Sequence, residues 1–282
     1  MSEHAAANSM TSVQETVTKA LPSAFRRKLP GRIVLLLVFG FLYLPIAVLV
    51  MLSFNDSGLP TSWSGFSTRW YAALLGNSEI LHAAWNTLVV AVFATLISTI
   101  LGTLLALGME TRRRKSNGLE ALAFAPMVIP DIVLAVALLT FFSRLNLTMG
   151  LHTIIVSHVV FDLAFVCSVV RARLKNFDFS IVEASRDLGA SGWTTFWRIT
   201  FPVLLPAIVA GSLLAFTLSV DEFIIAFFTA GAGRSSITLP MQIYSMIRFG
   251  ITPEVNALAT IVMGVSATAL MISQWLNKEQ VQ

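Results

Sequence analysis

Four acidic residues lie inside stretches of sequence that are otherwise apolar: Asp131, Asp162, Asp221 and Glu222. A carboxylate at the centre of a helix in lipid costs on the order of 2.5–3.5 kcal/mol on insertion scales, so such residues are rare without a specific role. No lysine or arginine occupies the central part of these stretches. Unpaired acids are expected where water or a cationic solute crosses a membrane, and a flexible chain with several ammonium groups would match them. The alternative is that each acid is protonated or hydrogen-bonded and only packs.

One aromatic residue and two prolines accompany the acids. Tyr244, in a predicted outer segment, offers a ring for a cation–π contact, so we add it to the four acids as a candidate substrate-pathway residue. Pro126 and Pro130 interrupt the stretch that contains Asp131, and each proline frees the carbonyl group four residues earlier. Freed carbonyls would help to solvate an ammonium group, whereas the simpler expectation is a kink.

Composition indicates the elements that must position these residues. Of the 282 residues, 56% are hydrophobic and 12% are charged, against about 25% charged in a soluble domain. In lipid a helix satisfies every backbone amide within its own segment, so the long apolar runs predict helices. We therefore predict an all-α membrane protein with six transmembrane helices and exclude a soluble globular enzyme. The predicted spans are 33–52, 83–109, 121–143, 149–170, 203–228 and 255–276.

The distribution of lysine and arginine predicts the orientation of the spans. The N-terminal tail, the loop after span two, the segment after span four and the C-terminal tail carry 15 of these 19 residues, and the opposite side carries 4. Since positively charged loops stay in the cytoplasm, we expect both termini there. The predicted organisation is a cytoplasmic tail over 1–31 and a six-span domain over 32–282, with its core at 83–276.

The cytoplasmic connection between spans four and five contains two predicted short amphipathic helices. Ser180 and Glu183 fit a capping-box pattern, and Gly189 permits a left-handed end to the first helix. Ser191 is placed to cap the second helix, and Pro202 opens the fifth span. A bent pair of such helices suits docking into the groove of a partner. The alternative is a pair that lies on the membrane surface without a partner.

The sequence lacks the motifs of an ATP site and of common hydrolases. No Gly-x-x-x-x-Gly-Lys-Ser/Thr occurs, so ATP and Mg would be bound by partner subunits, and we expect no cofactor in this chain. The four histidines have no companions at metal-ligand spacing, so we predict no metal site. We also predict no catalytic residue and no nucleic-acid partner.

The segment 178–202 resembles the EAA loop of binding-protein-dependent ABC importer permeases. The family pattern is Glu-Ala-Ala, three residues, Gly, nine residues and Ile-x-Leu-Pro. This chain matches the pattern at Glu183, Ala184, Gly189, Ile199 and Pro202. It departs at Ser185, where the family has alanine, and at Phe201, where the family has leucine. The resemblance implies the type I ABC importer permease fold, in which this segment supplies the coupling helices that seat on an ATP-binding subunit.

Further segments resemble the spermidine/putrescine permeases, specifically the second of their two permease subunits. They are 43–45, 53–55, 65–71, 130–133, 187–190, 215–219 and 253–260. The resemblance implies a multi-pass protein of a bacterial inner membrane, in contact with lipid, that carries polyamines. It also implies two ATP-binding subunits, a second homologous permease and a periplasmic or extracellular solute-binding protein as partners. From this resemblance we favour Asp221 over its neighbour Glu222 as the pathway residue.

Three other functions stay open at this point. A permease of the same type would suit another small organic cation or amine. A channel or ion-coupled carrier without an ATPase would show inverted repeats or paired broken helices, and the sequence shows no such pair. An intramembrane enzyme would need a reaction-specific motif beside the acids, and none accompanies them.

Overall fold

The computed structural model describes residues 31–58, 62–111, 117–248, 250 and 252–278, with the backbone alone at 111, 117, 266, 267 and 269–278. The predicted tail 1–31 lies outside this part of the chain except for Gly31. The helices are α1 (Gly31–Ser53), α2 (Arg69–Gly76), α3 (Ser78–Thr111), α4 (Asn117–Val128), α5 (Asp131–Arg144), α6 (Leu151–Leu174), α7 (Ser180–Asp187), α8 (Gly192–Thr195), α9 (Phe201–Asp221), α10 (Ile224–Thr229), α11 (Leu239–Arg248) and α12 (Pro253–Lys278). A π-helical turn (Phe196–Thr200) joins α8 to α9, and a 3₁₀ turn (Arg234–Ser236) precedes α11.

The all-α class predicted from the sequence is confirmed. Within the described ranges, four helices are long and apolar enough to cross a membrane, or five if α4 and α5 form one bent span. The four comprise α1, α3, α6 and the continuous stretch Gly192–Asp221 that ends with α9. The helix α12 covers the predicted sixth span, and its described apolar part is Pro253–Val265. The count of six spans and the cytoplasmic location of both termini stay predictions.

The predicted third span is two helices rather than one kinked helix. The axes of α4 and α5 differ by 109°, and the break lies at Ile129 and Pro130. Pro130 has φ −55° and ψ 136°, which is extended backbone, and a proline also disfavours helical backbone at the residue before it. Pro126, by contrast, lies inside α4 without ending the helix.

The predicted fifth span is also broken, although no glycine or proline marks the position. The helix α9 ends at Asp221, Glu222 is extended with ψ 117°, and α10 begins two residues later. The Ile225 N–H donates to Glu222 Oε1 at 2.5 Å, so the carboxylate caps the new helix. The expectation of one continuous helix over 203–228 is therefore wrong.

The centre of the bundle is formed by α3, α6 and α9, which pack against one another. The helices approach closely at Gly102, where an added Cβ would lie 2.9 Å from Val166 Cβ and 3.0 Å from the Leu163 carbonyl oxygen. His158 on α6 and Ser219 on α9 are joined by a buried hydrogen bond of 2.7 Å between Nδ1 and Oγ. The first helix, α1, packs against α12 and leaves most of its apolar surface exposed. The described chain is thus a compact central trio with an outlying first helix.

Candidate substrate site and coupling segment

The two helix breaks lie close together. Ala135 of α5, Ile225 of α10 and Phe161 of α6 belong to one buried apolar cluster. Asp131 lies one turn before Ala135, and Glu222 lies three residues before Ile225, so both acids occupy starts of helices that pack together. The Glu222 carboxylate lies within electrostatic range of Asp131 and Asp221. The packing therefore gathers three acids from two separate spans.

Three aromatic rings adjoin these acids. The rings of Tyr244 of α11 and Phe223 are tilted by 38° with centroids 4.8 Å apart, and Tyr244 meets Phe227 edge-on at 6.2 Å. Tyr244 remains 46% exposed, and Asp221 is exposed as well. We call the following six residues the acidic–aromatic surface: Asp131, Asp221, Glu222, Phe223, Phe227 and Tyr244.

The phenylalanines of this surface were not singled out from the sequence. A chain with 20 phenylalanines offers many rings, and most of them pack or face lipid. Their positions in the sequence could have indicated them, because Phe223 and Phe227 lie two and six residues after Asp221 and one helical turn apart.

Asp162 lies behind this surface, inside the bundle. Its side chain is fully buried, and neither carboxylate oxygen has a hydrogen-bond partner among the described residues. His158, one turn earlier on α6, is also buried and has an unpartnered Nε2 beside its bond to Ser219. Asp162 lies within electrostatic range of Glu222, so the surface and the interior acid are electrostatically connected.

The acidic–aromatic surface has the chemistry of a weak cation site. Within the described chain none of its three acids forms an ion pair with lysine or arginine, so their charges are not neutralised locally. Carboxylates attract an ammonium group directly, and aromatic faces attract it through the ring quadrupole. Among the described residues, no three His, Cys, Asp or Glu side chains are grouped so as to hold a metal ion. The arrangement suits an organic cation that contacts several carboxylates in turn.

The coupling segment, residues 178–202, forms the predicted pair of short helices. Gly189 has φ +83°, so the left-handed end predicted for α7 is confirmed. Ser191 Oγ accepts the Thr194 N–H at 3.2 Å, which confirms the predicted cap of α8. The predicted Ser180 cap is wrong, because the Ser180 N–H donates to Asp178 Oδ1 at 2.9 Å and Ser180 is the first residue of α7. Hydrogen bonds from the Ser180 hydroxyl and amide lower the pKa of Asp178.

The coupling segment exposes a large apolar surface. Leu188 is 88% exposed and Trp193 is 72% exposed, and Ile181 and Trp197 are exposed as well. The EAA-like residues Glu183 and Ala184 lie in α7 and are also exposed. Exposed apolar side chains beside acidic ones are typical of an interaction surface.

The remaining EAA-like positions lie where the segment joins the membrane helix. Ile199 is in the π-helical turn, and Pro202 is the second residue of α9. The Phe201 N–H donates to the Phe196 carbonyl five residues back, which defines the wider turn. The turn connects α8 to α9 without an intervening loop.

The sequence matches a family model described as "Binding-protein-dependent transport system inner membrane component" over residues 98–278. The spermidine/putrescine transport system permease protein PotC of Escherichia coli (strain K12) is 39% identical over 244 residues, covering 86% of this chain and 92% of the relative. The putrescine transport system permease protein PotI of the same strain is 43% identical over 256 residues, covering 88% and 90%. PotC of Haemophilus influenzae is 38% identical over 243 residues, covering 86% and 94%.

Solved structures with a similar fold include ABC importers. A bacterial ABC transporter involved in the import of the acidic polysaccharide alginate gives a TM-score of 0.66 at 15% identity, covering 87% of this chain and 94% of that one. The MetNI methionine ABC transporter in an inward-facing conformation gives 0.58 at 18% identity, covering 69% and 92%. At these identities the likeness concerns the fold alone. The family match and the similarity to PotC and PotI show that the chain belongs to the binding-protein-dependent transport system inner membrane components, as the resemblance to ABC importer permeases predicted.

Proposed function

We propose that this protein is a permease subunit of an ATP-driven importer that carries polyamines such as spermidine and putrescine. The observation that carries the proposal is the acidic–aromatic surface, where Asp131, Asp221 and Glu222 lie beside two helix breaks whose helices pack together, without a neutralising lysine or arginine in the described chain. Relatives whose names refer to spermidine and putrescine transport cover 86–88% of the chain at 38–43% identity, which supports the same cargo.

The proposed assembly contains this chain, a second homologous permease, two ATP-binding subunits and an external solute-binding protein. ATP and Mg would bind to the ATP-binding subunits. The exposed apolar surface of the coupling segment, at Leu188 and Trp193, supports docking of such a subunit. One similar structure is an alginate ABC transporter in complex with an alginate-bound periplasmic protein, which illustrates the architecture in that protein. In this assembly residues 32–282 would form the six-span domain with both termini in the cytoplasm.

The proposed mechanism couples two distant parts of the chain. Movement of the docked ATP-binding subunits would displace α7 and α8, and the π-helical turn would pass this displacement to α9. Because α9 ends at Asp221, its movement would change the exposure of the acidic–aromatic surface. Asp131 and Asp221 would lower the barrier to the cation and bind it weakly, since tight binding would stall release.

The proposal is tested by uptake of radiolabelled putrescine and spermidine into vesicles that contain the whole assembly. Asp131→Asn and Asp221→Asn remove a negative charge with little change in shape, so we expect each to reduce uptake severalfold while the subunits still co-purify. Asp56→Asn is the matched control, because Asp56 is an exposed acid that pairs with Arg69 at 3.3 Å in an outer loop. Unchanged uptake in both test variants would contradict the pathway assignment.

The same uptake assay in vesicles distinguishes the proposed function from two alternatives. The helices are interrupted between α4 and α5 and between α9 and α10. Interrupted helices are also a feature of ion-coupled carriers, which move substrate without an ATPase. Uptake that continues with a hydrolysis-deficient ATP-binding subunit would favour a carrier. If the protein is a permease for another small organic amine, the assembly would take up that amine, and an excess of putrescine or spermidine would not inhibit the uptake.

A further inference from the structure

The two helices of the coupling segment are joined by a hydrogen bond between side chains. Ser185 Oγ of α7 and Thr195 Oγ1 of α8 lie 2.6 Å apart. Ser185 is 8% exposed and Thr195 is 3% exposed, in a segment whose other side chains mostly face outward. Ser185 is the only buried residue of α7, and Thr195 is the only buried residue of α8. The pair of hydroxyls therefore takes the place that an apolar contact usually has between two packed helices.

The turn between the helices fixes the end of α7 but not the direction of α8. The Ala190 N–H donates to the Ser185 carbonyl at 3.1 Å, and the Gly189 N–H donates to the Arg186 carbonyl at 2.9 Å. These two bonds, with φ +83° at Gly189, form a Schellman motif that terminates α7. Ala190 and Ser191 then lead into α8, which has a single turn and little stability of its own. The hydrogen bond between Ser185 and Thr195 adds a direct tie between α7 and α8.

The position of Ser185 makes this tie a feature of the chain's coupling motif. Ser185 occupies the third position of the EAA-like sequence, where the family pattern has alanine, which has no hydroxyl to donate or accept. The large apolar residues Leu188 and Trp193 of the segment are exposed and do not form a buried core between the two helices. A hydrogen bond shielded from water is stronger than an exposed one, and a docked subunit would shield this pair further.

We propose that Ser185 and Thr195 are positioning residues that hold α7 and α8 at a fixed angle, so that the pair moves as one rigid unit when an ATP-binding subunit pushes it. This inference rests on the proposed function. The hydroxyls do not contact the cargo or ATP. Their effect is on the amount of cargo moved for each ATP hydrolysed.

The test is a double-mutant cycle in the full assembly, with Ser185→Ala, Thr195→Val and the double variant. Each single change leaves one buried hydroxyl without its partner, and we expect the cargo transported per ATP hydrolysed to fall about fivefold or more, as for loss of a buried hydrogen bond. The double variant leaves no unpaired hydroxyl, so it should recover part of the loss. Thr195→Ser keeps the hydroxyl and should retain the wild-type ratio. Equal ratios in wild type and both single variants, or strictly additive losses in the double variant, would overturn the proposal.

Two controls separate this proposal from the proposed function. Ser168→Ala removes a hydroxyl that bonds only to the Phe165 carbonyl of its own helix at 2.8 Å, so the ratio should not change. Leu188→Asp places a charge on the exposed apolar surface and should prevent co-purification of the ATP-binding subunit. If wild-type uptake needs no ATP and Leu188→Asp has no effect, the proposed function itself fails. If wild type is coupled and the serine and threonine variants match it, only the positioning role fails.

Discussion

At Gly189, backbone conformation decides which side chain the coupling segment accepts. The residue has φ +83°, a value that side chains with a Cβ rarely adopt, although a Cβ added there would meet no atom within 4 Å. Left-handed backbone costs roughly 1–2 kcal/mol for an ordinary residue, and asparagine tolerates it better because its short polar side chain bonds locally. Strain and size can therefore be tested separately at one position.

We expect Gly189→Ala to lower transport per ATP more than Gly189→Asn does, despite the larger size of asparagine. Gly189→Arg should uncouple transport most severely, because it adds a long side chain on the face proposed to dock. The measurement is the ratio of cargo uptake to ATP hydrolysis in the reconstituted assembly. A wild-type ratio for Gly189→Arg would exclude a close approach of the partner at this turn.

Single residues show why some local features could be predicted from the sequence and others could not. Gly189 and Ser191 were predicted correctly because each has a strong preference for one helix-end position. The cap predicted at Ser180 was wrong because Asp178, two residues earlier, is an equally good capping residue and accepts the Ser180 N–H. The Ser185–Thr195 hydrogen bond could not be predicted from the sequence, because it depends on the angle between two helices.

At the scale of elements, the close contact between α3 and α6 depends on a residue without a side chain. Gly102 on α3 lies against Val166 and Leu163 of α6, where even a methyl group would meet Val166 Cβ at 2.9 Å. Gly108, further along the same helix, has no atom within 4 Å of an added Cβ. A comparison of substitutions at these two glycines therefore tests how closely α3 packs against α6.

Gly102→Ala should destabilise the purified assembly by about 1–3 kcal/mol through overpacking, whereas Gly108→Ala should have no cost or a small gain in helix propensity. Thermal unfolding in detergent measures both. The packing argument fails if the two variants shift the midpoint equally.

The broken elements limited what could be predicted at this scale. Pro130 indicated where the third span is interrupted, but the 109° angle between its two helices could not be predicted. At Glu222 no glycine or proline marks a break, and the decisive contribution is the cap that its own carboxylate gives to α10. An apolar run therefore predicted the existence of a span far better than its continuity.

At the scale of the whole molecule, Arg171 forms ion pairs that link α6 to both α3 and α4. Arg171 of α6 contacts Glu110 of α3 at 3.4 Å and Glu120 of α4 at 2.6 Å, and its guanidinium lies 5.7 Å from the centre of the Phe124 ring. The arginine is largely buried. The pair of Arg234 with Glu79 has a similar distance, 2.8 Å, but both partners are exposed.

Arg171→Met should lower the stability of the assembly by about 1.5–3 kcal/mol, because it removes a mostly buried cation that contacts both Glu110 and Glu120. Arg234→Met is the matched control and should change stability by about 0.5 kcal/mol or less, since exposed ion pairs contribute little. Thermal midpoints of the two variants give the comparison. Similar losses would mean that burial does not set the strength of the Arg171 contacts.

The location of the acids at chain interruptions has a consequence for redesign. Asp131 is the first residue of α5, Asp221 is the last residue of α9, and Glu222 lies between α9 and α10, so none of them lies in the interior of a helix. Side chains at such junctions can be exchanged with little damage to the surrounding scaffold. A library randomised at positions 131, 221 and 244, and limited to cap-forming residues at 222, should therefore yield intact importers with altered cargo preference.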